Sequence, residues 1–549
     1  MKRIFLFIFL VFIIIGGNWA KASNLGVKKN VLDFGVKGDG RSDDSEGFQN
    51  AINSLNTNDE LYIPQGTYLI TKTLKVNKNN IKIYGSGKLS KLVYKYGKYS
   101  KMKNTIQSFL LENAQYVTFS NFSVDGGATS FSETVIDDYG KEVWDVYGAY
   151  NIFFIHPSSD NSVRNIIFKN LDLKHSYFSA IHSYGRLKDP LPKYYSSNIT
   201  VENCTFSDIG IHAVGFNITR NSKVIGNRIF NVGLAKLIDG SGSGLGIDIS
   251  AGCENVTVVG NTINGAGGGI KCETHNDNGR IISSKNIIIK NNVIRNLYGE
   301  GKKGYEIFYG IRVNGEYCTV ESNDIESFSH GILIADNAKS SIIRNNIIRS
   351  TKDVNAAGIR CDKNGGGHQI VGNKINNTNA QGILLSNSDN LTVSNNIIVN
   401  SRLDNIRILG GKGINVMDNV CGTAGTNNIS IFPAKGMKIS DVSLSDNVCF
   451  DLDGESKSKS RRIMISNASN VRSVNNRSVI SSVNNLTGSI SQDQGISVST
   501  KVPNTGAYKK GDFVIKKNTA ATLTSNDSII GWKCITSGTP GKWIAVSVK

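Results

Sequence analysis

The stretch Val256-Thr257-Val258-Val259-Gly260-Asn261-Thr262-Ile263 decides the fold, because its pattern returns along the second half of the chain. Its alternate residues are apolar, and an asparagine stands two residues before the last of them. The pattern returns as Ile287-Ile288-Ile289-Lys290-Asn291-Asn292-Val293-Ile294. It recurs around Asn323, Asn346, Asn373, Asn396, Asn419 and Asn447. Successive asparagines of this set lie 23 to 31 residues apart, which is a period typical of a solenoid.

A second unit, Gly-Ile-x-apolar, alternates with the first. It occurs at Gly246-Ile247, Gly269-Ile270, Gly310-Ile311, Gly331-Ile332, Gly358-Ile359 and Gly382-Ile383. One turn with two or three short strands cannot bury its apolar side chains, whereas turns stacked ~4.8 Å apart bury them in a continuous core. The leucine-rich solenoid shares this period, but its consensus is missing. We therefore predict an all-β parallel β-helix.

The repeated asparagine predicts an internal ladder. A tight corner between strands favours asparagine in the left-handed backbone conformation, and its amide can bond to the asparagine of the next turn. We expect Asn261 to Asn447 to form this ladder within roughly a dozen turns over residues 116–480.

One helix is expected, over residues 43–55. Asp43 and Glu46 have the spacing of a capping box at its start. Four apolar side chains share one face: Phe48, Ala51, Ile52 and Leu55. We expect this helix to close the N-terminal end of the solenoid, where a bare strand edge invites pairing with another chain.

The first 22 residues are typical of a signal peptide. Lys2 and Arg3 precede the apolar run Ile4–Ile15, and Ala20-Lys21-Ala22 has the small-x-small pattern of a cleavage site. The run is too short to span a membrane, and no later stretch approaches ~20 apolar residues. We predict a secreted or periplasmic protein with no membrane span; an uncleaved membrane anchor is the alternative.

The chain is basic, with 62 Lys and Arg against 44 Asp and Glu. Such a charge suits nucleic acid, an anionic surface or an acidic polymer. No helix-turn-helix, zinc-finger or RNA-binding motif is present, so nucleic acid is not an expected partner. Binding of an acidic polymer and a basic surface that serves only solubility both remain open.

Eight cysteines in an exported chain would ordinarily indicate disulfides. Five of them replace apolar or asparagine positions of the repeats: Cys204, Cys272, Cys361, Cys421 and Cys449. We expect thiols stacked in the core rather than bridges. No cysteine or histidine cluster has zinc-ligand spacing.

The segments Val31-Leu32-Asp33-Phe34-Gly35-Val36-Lys37-Gly38-Asp39-Gly40 and Leu61-Tyr62-Ile63-Pro64-Gln65-Gly66-Thr67-Tyr68 resemble the opening of the pectate-lyase superfamily. That group includes rhamnogalacturonase-like and epimerase-like enzymes and phage tailspike depolymerases. The resemblance covers about residues 24–480. It implies a right-handed, single-stranded parallel β-helix and carbohydrate substrates, although function belongs to the site rather than the fold.

The predicted organisation has five parts. A signal peptide (1–22) precedes an N-terminal cap with the first turns (23–115) and the β-helix proper (116–480). A Ser/Asn/Gly-rich linker follows (481–504), and then a small C-terminal β module (505–549). The module is similar to those of tailspike-like and cell-surface proteins. Its Trp532 and Trp543 either stack on sugars or form its core.

Catalytic and substrate-binding side chains are expected at the outward positions of the Gly-Ile strands, because stacked turns would align these positions on one face. Histidines, carboxylates and a lysine there can move protons to and from a sugar. The candidate catalytic residues are Tyr177, His182, His212, Asp248, Lys271 and Glu273. Three outward arginines further along are candidate substrate ligands, because a guanidinium grips a carboxylate with two hydrogen bonds. These are Arg312, Arg360 and Arg407.

Two comparisons with known motifs reduce the number of possible reactions. Ser243–Ile249 resembles a polygalacturonase segment, but catalytic aspartates of that family fall on Leu245, Gly267 and Gly268, so that hydrolytic mechanism is not expected. Tyr177–His182 keeps the tyrosine and histidine of a mannuronan-epimerase motif, while Ala180 replaces its aspartate.

Three functions remain open on the sequence. The first is a polysaccharide lyase or glycoside hydrolase acting on an anionic, uronate-containing chain. The second is a non-catalytic glycan-binding adhesion protein, and the third is an epimerase. No cofactor is expected, except that Asp248 and Glu273 could hold the calcium ion that pectate lyases often employ. The tailspike resemblance also allows a trimer.

Overall fold

The structure is a computed structural model. It describes residues 26–95, 99–100, 107–128, 134–136, 142–146, 150–188, 191–234, 244–277, 280–298, 309–327, 329–363, 366–450, 462–477, 479–482, 497–499, 501–505, 507–510, 512–516 and 529–547. The signal peptide predicted for residues 1–22 lies outside these described residues.

Most of the described chain winds into a right-handed parallel β-helix with three long sheets, as the repeats predict. Each full turn passes through sheet 1, sheet 2 and sheet 3 in that order. Sheet 1 has seventeen strands: Lys28–Asn30, Glu60–Ile63, Asn79–Gly85, Ala114–Ser120, Val163–Lys169, Ser196–Glu202, Thr219–Arg220, Lys223–Ile225, Thr257–Val259, Ile288–Lys290, Thr319–Glu321, Ile342–Arg344, Gln369–Val371, Thr392–Ser394, Gly411–Met417, Ile439–Ser445 and Ser469–Val474.

Sheets 2 and 3 have fifteen strands each. Sheet 2 contains Asp39–Asp43, Gly66–Ile70, Ser90–Tyr94, Ser123–Asp125, Asp172–Ser176, Thr205–Ile209, Arg228–Val232, Thr262–Ala266, Val293–Arg295, Asp324–Ser327, Ile347–Thr351, Lys374–Asn376, Ile397–Ser401, Val420–Ala424 and Val448–Phe450. Sheet 3 contains Leu74–Lys75, Gln107–Leu111, Asn151–Ile155, Ser179–Tyr184, His212–Asn217, Leu245–Ser250, Gly268–Cys272, Ile311–Val313, Ile332–Ile334, Ile359–Cys361, Ile383–Leu385, Ile406–Ile408, Ile429–Ile431, Arg462–Ile465 and Val479–Ser482.

The predicted asparagine ladder is present and longer than expected, from Asn227 to Asn476. Asn346 shows the pattern: its Nδ2 and its backbone N–H donate to Oδ1 of Asn373, at 2.9 and 3.0 Å. One detail of the prediction is wrong. The ladder asparagines are not the left-handed residues; the residue before each one has the positive φ, for example Asn345 at 56°. That arrangement turns the chain while the ladder amide points into the coil.

The N-terminal helix spans Ser45–Asn53, shorter than predicted. Its Phe48, Ala51 and Ile52 are buried, and so is Leu55, which lies just beyond the helix. A capping box does not form. Instead Oδ1 of Asp43 accepts from the backbone N–H of Ser45, and the buried Asp44 carboxylate accepts from Lys37 and Gly38. Two short 3-10 helices, Val31–Phe34 and Gly87–Leu89, complete the helical content of the described residues.

Short antiparallel strands leave the coil beside sheet 3, all before residue 283. They are Tyr99–Ser100, Thr134–Ile136 with Glu142–Val146, Arg186–Lys188 with Leu191–Tyr194, and His275–Asp277 with Arg280–Ile282. In a solenoid, insertions collect on one face, and that face is often the binding face.

The C-terminal module is a four-stranded sheet of Ser497–Ser499, Phe513–Lys516, Ile529–Thr536 and Lys542–Ser547. Its first strand falls within the segment predicted as a linker. The module packs on the outer surface of sheet 2, where Phe513 stacks on Phe450 with ring centroids 5.9 Å apart. Trp532 is buried, which favours the core role for this residue, whereas Trp543 is half-buried against Tyr508.

All eight cysteines are free and buried, including the five predicted to be core thiols from their positions in the repeats. Cys421 and Cys449 stand in register on adjacent turns of sheet 2, in the manner of the other core residues. None of the helices in the described part of the chain has the length and apolar character needed to cross a membrane.

Candidate active site on sheet 3

The outer surface of sheet 3 carries a column of side chains in strict register, which we call the sheet-3 column. Pairing of adjacent strands aligns His182 with Gly215, Gly215 with Asp248, and Asp248 with Lys271. The column continues through Arg312, Leu333, Arg360, Leu384 and Arg407. Six of the candidate residues therefore lie in one line: His182, Asp248, Lys271, Arg312, Arg360 and Arg407.

His212 does not occupy the column position predicted for it. Its strand begins at His212, and the inward residue that matches Ile181 is Val214 rather than Ile211. Gly215 therefore takes the column position. Because glycine has no side chain, the rings of His182 and His212 both lie within 3.7 Å of where a Cβ at Gly215 would be. Because Gly215 has no side chain, the ring of His212 can extend across the column towards Asp248.

Asp248 is the centre of the resulting cluster and is only 6% exposed. Its Oδ1 lies 3.3 Å from Nζ of Lys271 and accepts from the Ser250 hydroxyl at 2.5 Å. Its Oδ2 lies 3.6 Å from Nε2 of His212. Burial raises the pKa of Asp248, but Lys271 and His212 outweigh burial and hold the pKa below its usual value. Asp248 is therefore ionised at neutral pH.

Lys271 is held charged by the same contact. Burial alone lowers the pKa of Lys271, but the carboxylate of Asp248 raises it above the usual value. The ammonium group thus stays protonated at neutral pH. A charge kept in place in a poorly hydrated site stabilises an opposite charge that develops on a bound molecule.

The two candidate histidines are uncharged at neutral pH. Burial lowers the pKa of His182 to about 3 and that of His212 to about 4. Nδ1 of His212 accepts from the backbone N–H of Leu245 at 3.3 Å, so the ring proton is on Nε2, facing Asp248. His212 is consequently a hydrogen-bond donor at this site rather than a general base.

His182 has one ring nitrogen, Nε2, 3.1 Å from the Asn217 amide. Its other nitrogen, Nδ1, is buried and has no hydrogen-bond partner among the described residues. The ring is enclosed by Phe178, which stacks on it at 5.6 Å, and by the edge of Phe154. Phe154 occupies the column position one turn before His182, after the inward Phe153, whereas Phe178 precedes the strand of His182. Neither was predicted, because neither follows an inward isoleucine.

Glu273 lies two residues beyond Lys271 and joins the next turn. Its Oε2 is 3.2 Å from Nε of Arg312, and its Oε1 accepts from the Asn314 amide. Tyr309 is buried beside this pair, with the Arg312 guanidinium 5.9 Å from its ring, and burial raises the pKa of Tyr309 to about 12. Asn314 and Tyr309 were missed by sequence reasoning because they flank strands at variable distances.

The remaining arginines of the column are also paired. Nε of Arg360 lies 2.7 Å from Asp362, and Nη1 of Arg407 lies 2.9 Å from the buried Asp404. Each column cation thus has its own carboxylate, and the column is nearly neutral. Because Lys271 and Arg312 already neutralise the two candidate calcium ligands, this arrangement does not fit a calcium site. The described residues contain no group of three metal-ligating side chains.

Tyr177 is separated from the column. It occupies the corner between sheets 2 and 3 and is 1% exposed. Its ring is part of the protein interior, so a direct contact with a substrate would require the corner to open.

Family comparison agrees with the fold. Residues 29–271 match the family described as Rhamnogalacturonase A/epimerase, pectate lyase-like. Residues 273–422 match the family described as Periplasmic copper-binding protein (NosD). The first match includes the opening motif and confirms its resemblance to the pectate-lyase superfamily.

Individual relatives are distant. The chain is 22% identical to the pre-neck appendage protein of Bacillus phage B103 over 431 residues, covering 67% of this chain and 46% of that protein. It is 40% identical over 78 residues to a probable glucan endo-1,3-beta-glucosidase of Arthroderma benhamiae, covering 14% of this chain and 8% of that protein. The chain therefore spans less than half the length of either curated relative.

Among solved structures, a double mutant of the tailspike protein of E. coli bacteriophage HK620 superposes with a TM-score of 0.50. The two share 13% identity over 81% of this chain and 78% of the tailspike chain. This likeness supports the β-helix fold and carries no statement about activity.

Proposed function

We propose that the protein is an exported enzyme that binds a polysaccharide along the sheet-3 column and cleaves it beside Lys271. The observation that carries the proposal is the buried, ionised Asp248 that keeps Lys271 charged and fixed. Burying an ion pair costs free energy, and clusters of this kind collect at functional sites. The insertions that flank sheet 3 surround this part of the coil.

The roles follow from the geometry. Lys271 stabilises negative charge on the sugar, and Asp248 holds it in position. Glu273 is the more exposed of the two carboxylates, at 20% against 8% for the side chain of Asp248. It is placed to exchange a proton with the substrate, and Nε2–H of His212 is available to donate a hydrogen bond to the substrate. Both elimination from a uronate and hydrolysis by a carboxylate pair use these groups.

An acidic, uronate-containing substrate remains part of the proposal because the chain has an excess of positive charge. Such a substrate would exchange its carboxylate for that of Glu273, Asp362 or Asp404 at the column cations. Binding should then weaken as salt rises past ~0.15 M, where the Debye length is about 8 Å.

The pairing of each column cation with a carboxylate also suits a second function, a non-catalytic glycan-binding surface protein. Paired charges of this kind stabilise the surface without any reaction. Incubation with a panel of neutral and uronate polysaccharides separates the possibilities. A new C=C absorbance in the ultraviolet indicates a lyase, and new reducing ends without it indicate a hydrolase.

The matched variants are Lys271→Ala and, as control, Lys339→Ala, whose side chain pairs with Glu316 away from the column. Loss of cleavage only in Lys271→Ala supports the proposed centre. Binding without either product in the unmodified protein would favour the adhesion function instead.

A further inference from the structure

A second groove lies one corner away from the sheet-3 column, where the chain leaves sheet 3 and enters sheet 1. Its volume is about 540 Å³, and it crosses five turns, from Tyr116 to Asn255. Three of these turns carry His182, Gly215 and Asp248 in sheet 3. The groove therefore belongs to the same part of the coil as the proposed reaction centre but faces another direction.

A column of four asparagines, three exposed and one half-buried, forms the floor of this groove. Asn165, Asn198, Asn221 and Asn255 follow one another in register, each with a φ near 55°. Asn198 donates to Asn165 and Asn255 donates to Asn221, both at 3.1 Å. No bond joins Asn198 to Asn221 among the described residues. The amides there offer a donor and an acceptor side by side, which is what a sugar hydroxyl needs.

Tyr116 stands at one end of the groove in the register position that the asparagines occupy on later turns. Half of its surface is exposed, and the guanidinium of Arg164 lies 5.8 Å from its ring. A flat, exposed aromatic face with a polar hydroxyl suits the apolar face of a pyranose ring.

Arg220 stands in the middle of the groove. Its guanidinium lies 4.8 Å from the ring of Tyr195, and Nη2 donates to Oδ1 of Asn161 at 2.9 Å. It also lies 3.7 Å from the exposed Asp160. Two arginines, Arg164 and Arg220, and one carboxylate, Glu254, line the groove. Together with Asp160, which pairs with Arg220 beside the groove, these charges balance.

We propose that this groove is a second glycan-binding site, which holds an uncharged stretch of sugar units by amide and guanidinium hydrogen bonds and by stacking on Tyr116. The inference requires the ligand to be a glycan, as in the proposed function, but it requires no reaction at the sheet-3 column. Because the groove charges balance, binding here should be nearly independent of salt.

The coil offers closely matched controls. Tyr317 occupies the register position of Tyr116, is also exposed with a φ of 56°, and lies outside the groove. Lys285 occupies the register position of Arg220 two turns further on. The test variant is Tyr116→Asn with Arg220→Gln, and the control is Tyr317→Asn with Lys285→Gln. Asparagine suits the left-handed backbone at both tyrosine positions, so folding should be preserved.

The measurement is binding of the full chain to an array of neutral and uronate oligosaccharides, at low and high salt, after both variants are shown to melt like the parent. We expect about tenfold weaker binding to neutral glycans for the test variant, the loss typical of one or two hydrogen bonds. The control should bind like the parent.

Equal binding by test and control variants, or no binding of any neutral glycan by the parent, would overturn the proposal. Lys271→Ala is measured in parallel for cleavage. If Lys271→Ala cleaves normally while the groove variant loses binding, the proposed reaction centre is wrong and the proposed groove is supported. If Lys271→Ala loses cleavage while the groove variant binds normally, the reaction centre is supported and the groove is wrong.

Discussion

The turns before and after Cys272 are built differently. From Gln107–Leu111 to Gly268–Cys272 the strands of sheet 3 have five or six residues, whereas the six from Ile311–Val313 to Ile429–Ile431 have three each. The early core contains stacked phenylalanines, such as Phe109 on Phe153 with centroids 4.7 Å apart. The later core is mainly isoleucine. The two family matches also meet at this point, at residues 271 and 273.

The difference between the two groups of turns distinguishes a regular scaffold from the turns that carry the proposed site. The later turns repeat with little variation, because each one only has to fit its two neighbours. The early turns carry the insertions, the buried Asp248 and the glycine that lets His212 cross the column. We infer that the regular repeats serve as the scaffold and that the proposed reaction centre lies where the regularity is interrupted.

The largest effect is expected from Lys271→Ala. It should lower turnover ~10²-fold or more, because the group that stabilises developing charge is lost. It should also destabilise the fold by ~3–5 kcal/mol, since Asp248 is left buried and charged.

The double variant Asp248→Asn/Lys271→Met separates the two effects of Lys271→Ala. Thermal melting should show most of the stability restored, while turnover assays should show no recovery. Recovery of turnover would mean that the early turns do not hold the reaction centre.

The second prediction concerns the asparagine ladder, which both groups of turns share. Asn346→Leu removes an amide that bonds to Asn373 and to the carbonyl of Val320. Unsatisfied groups inside the coil should cost ~1–3 kcal/mol, measured by denaturant unfolding. Asn286→Gly is the control, because the exposed Asn286 donates to Asn255 on the outside of the coil. It should change stability by less than ~0.5 kcal/mol. Equal effects would show that burial of the ladder amides is not what stabilises the coil.

The third prediction is a loss of stability in acid. Burial lowers the pKa of His330 and of His368 to about 4, as it does for His212. A histidine with a lowered folded pKa is protonated first in the unfolded chain. Its stabilising contribution is therefore complete above about pH 6.5 and is lost as pH falls towards about 4.

His368→Asn tests this contribution in the later turns. The asparagine oxygen can replace Nδ1 as acceptor for the Ser341 N–H. The slope of unfolding free energy between about pH 4 and about pH 6.5 should fall by at most ~1.4 kcal/mol per pH unit, the effect of one proton. An unchanged slope would show that His368 does not titrate differently in the two states.

The smallest effect is expected from Arg407→Gln. Arg407 lies five turns beyond Lys271 along the column, ~24 Å away, and already pairs with Asp404. We expect KM to rise a few-fold and kcat to stay the same, as for a residue that binds substrate remote from the reaction. A fall in kcat alone would place the reaction further along the coil than Lys271.

Much of the fold follows from the sequence, because inward and outward residues alternate and repeat. The ladder asparagines, the buried cysteines and the column positions of Asp248, Lys271 and Arg312 are all fixed by that pattern. His212 was misplaced because Gly210-Ile211 imitates the strand unit, while the true inward residue is Val214.

The partners of the charged side chains were not predictable. Asp362 follows Arg360 by two residues, whereas Asp404 precedes Arg407 by three, so no fixed spacing identifies them. Neutral histidines were missed for a similar reason. Their pKa values depend on burial by Phe178 and by neighbouring turns, which only the folded coil brings together.

The docked C-terminal module has a consequence for biogenesis. Val399, Val420, Val448 and Phe450 point outward from sheet 2 and are covered by Phe513, Ile530 and Val546. A solenoid can fold progressively from one end, so these turns can form before their cover is synthesised. Until the last strands are synthesised, the nascent coil exposes this apolar surface to chaperones and to other nascent chains. In a chain truncated after residue 482, the same surface would stay exposed.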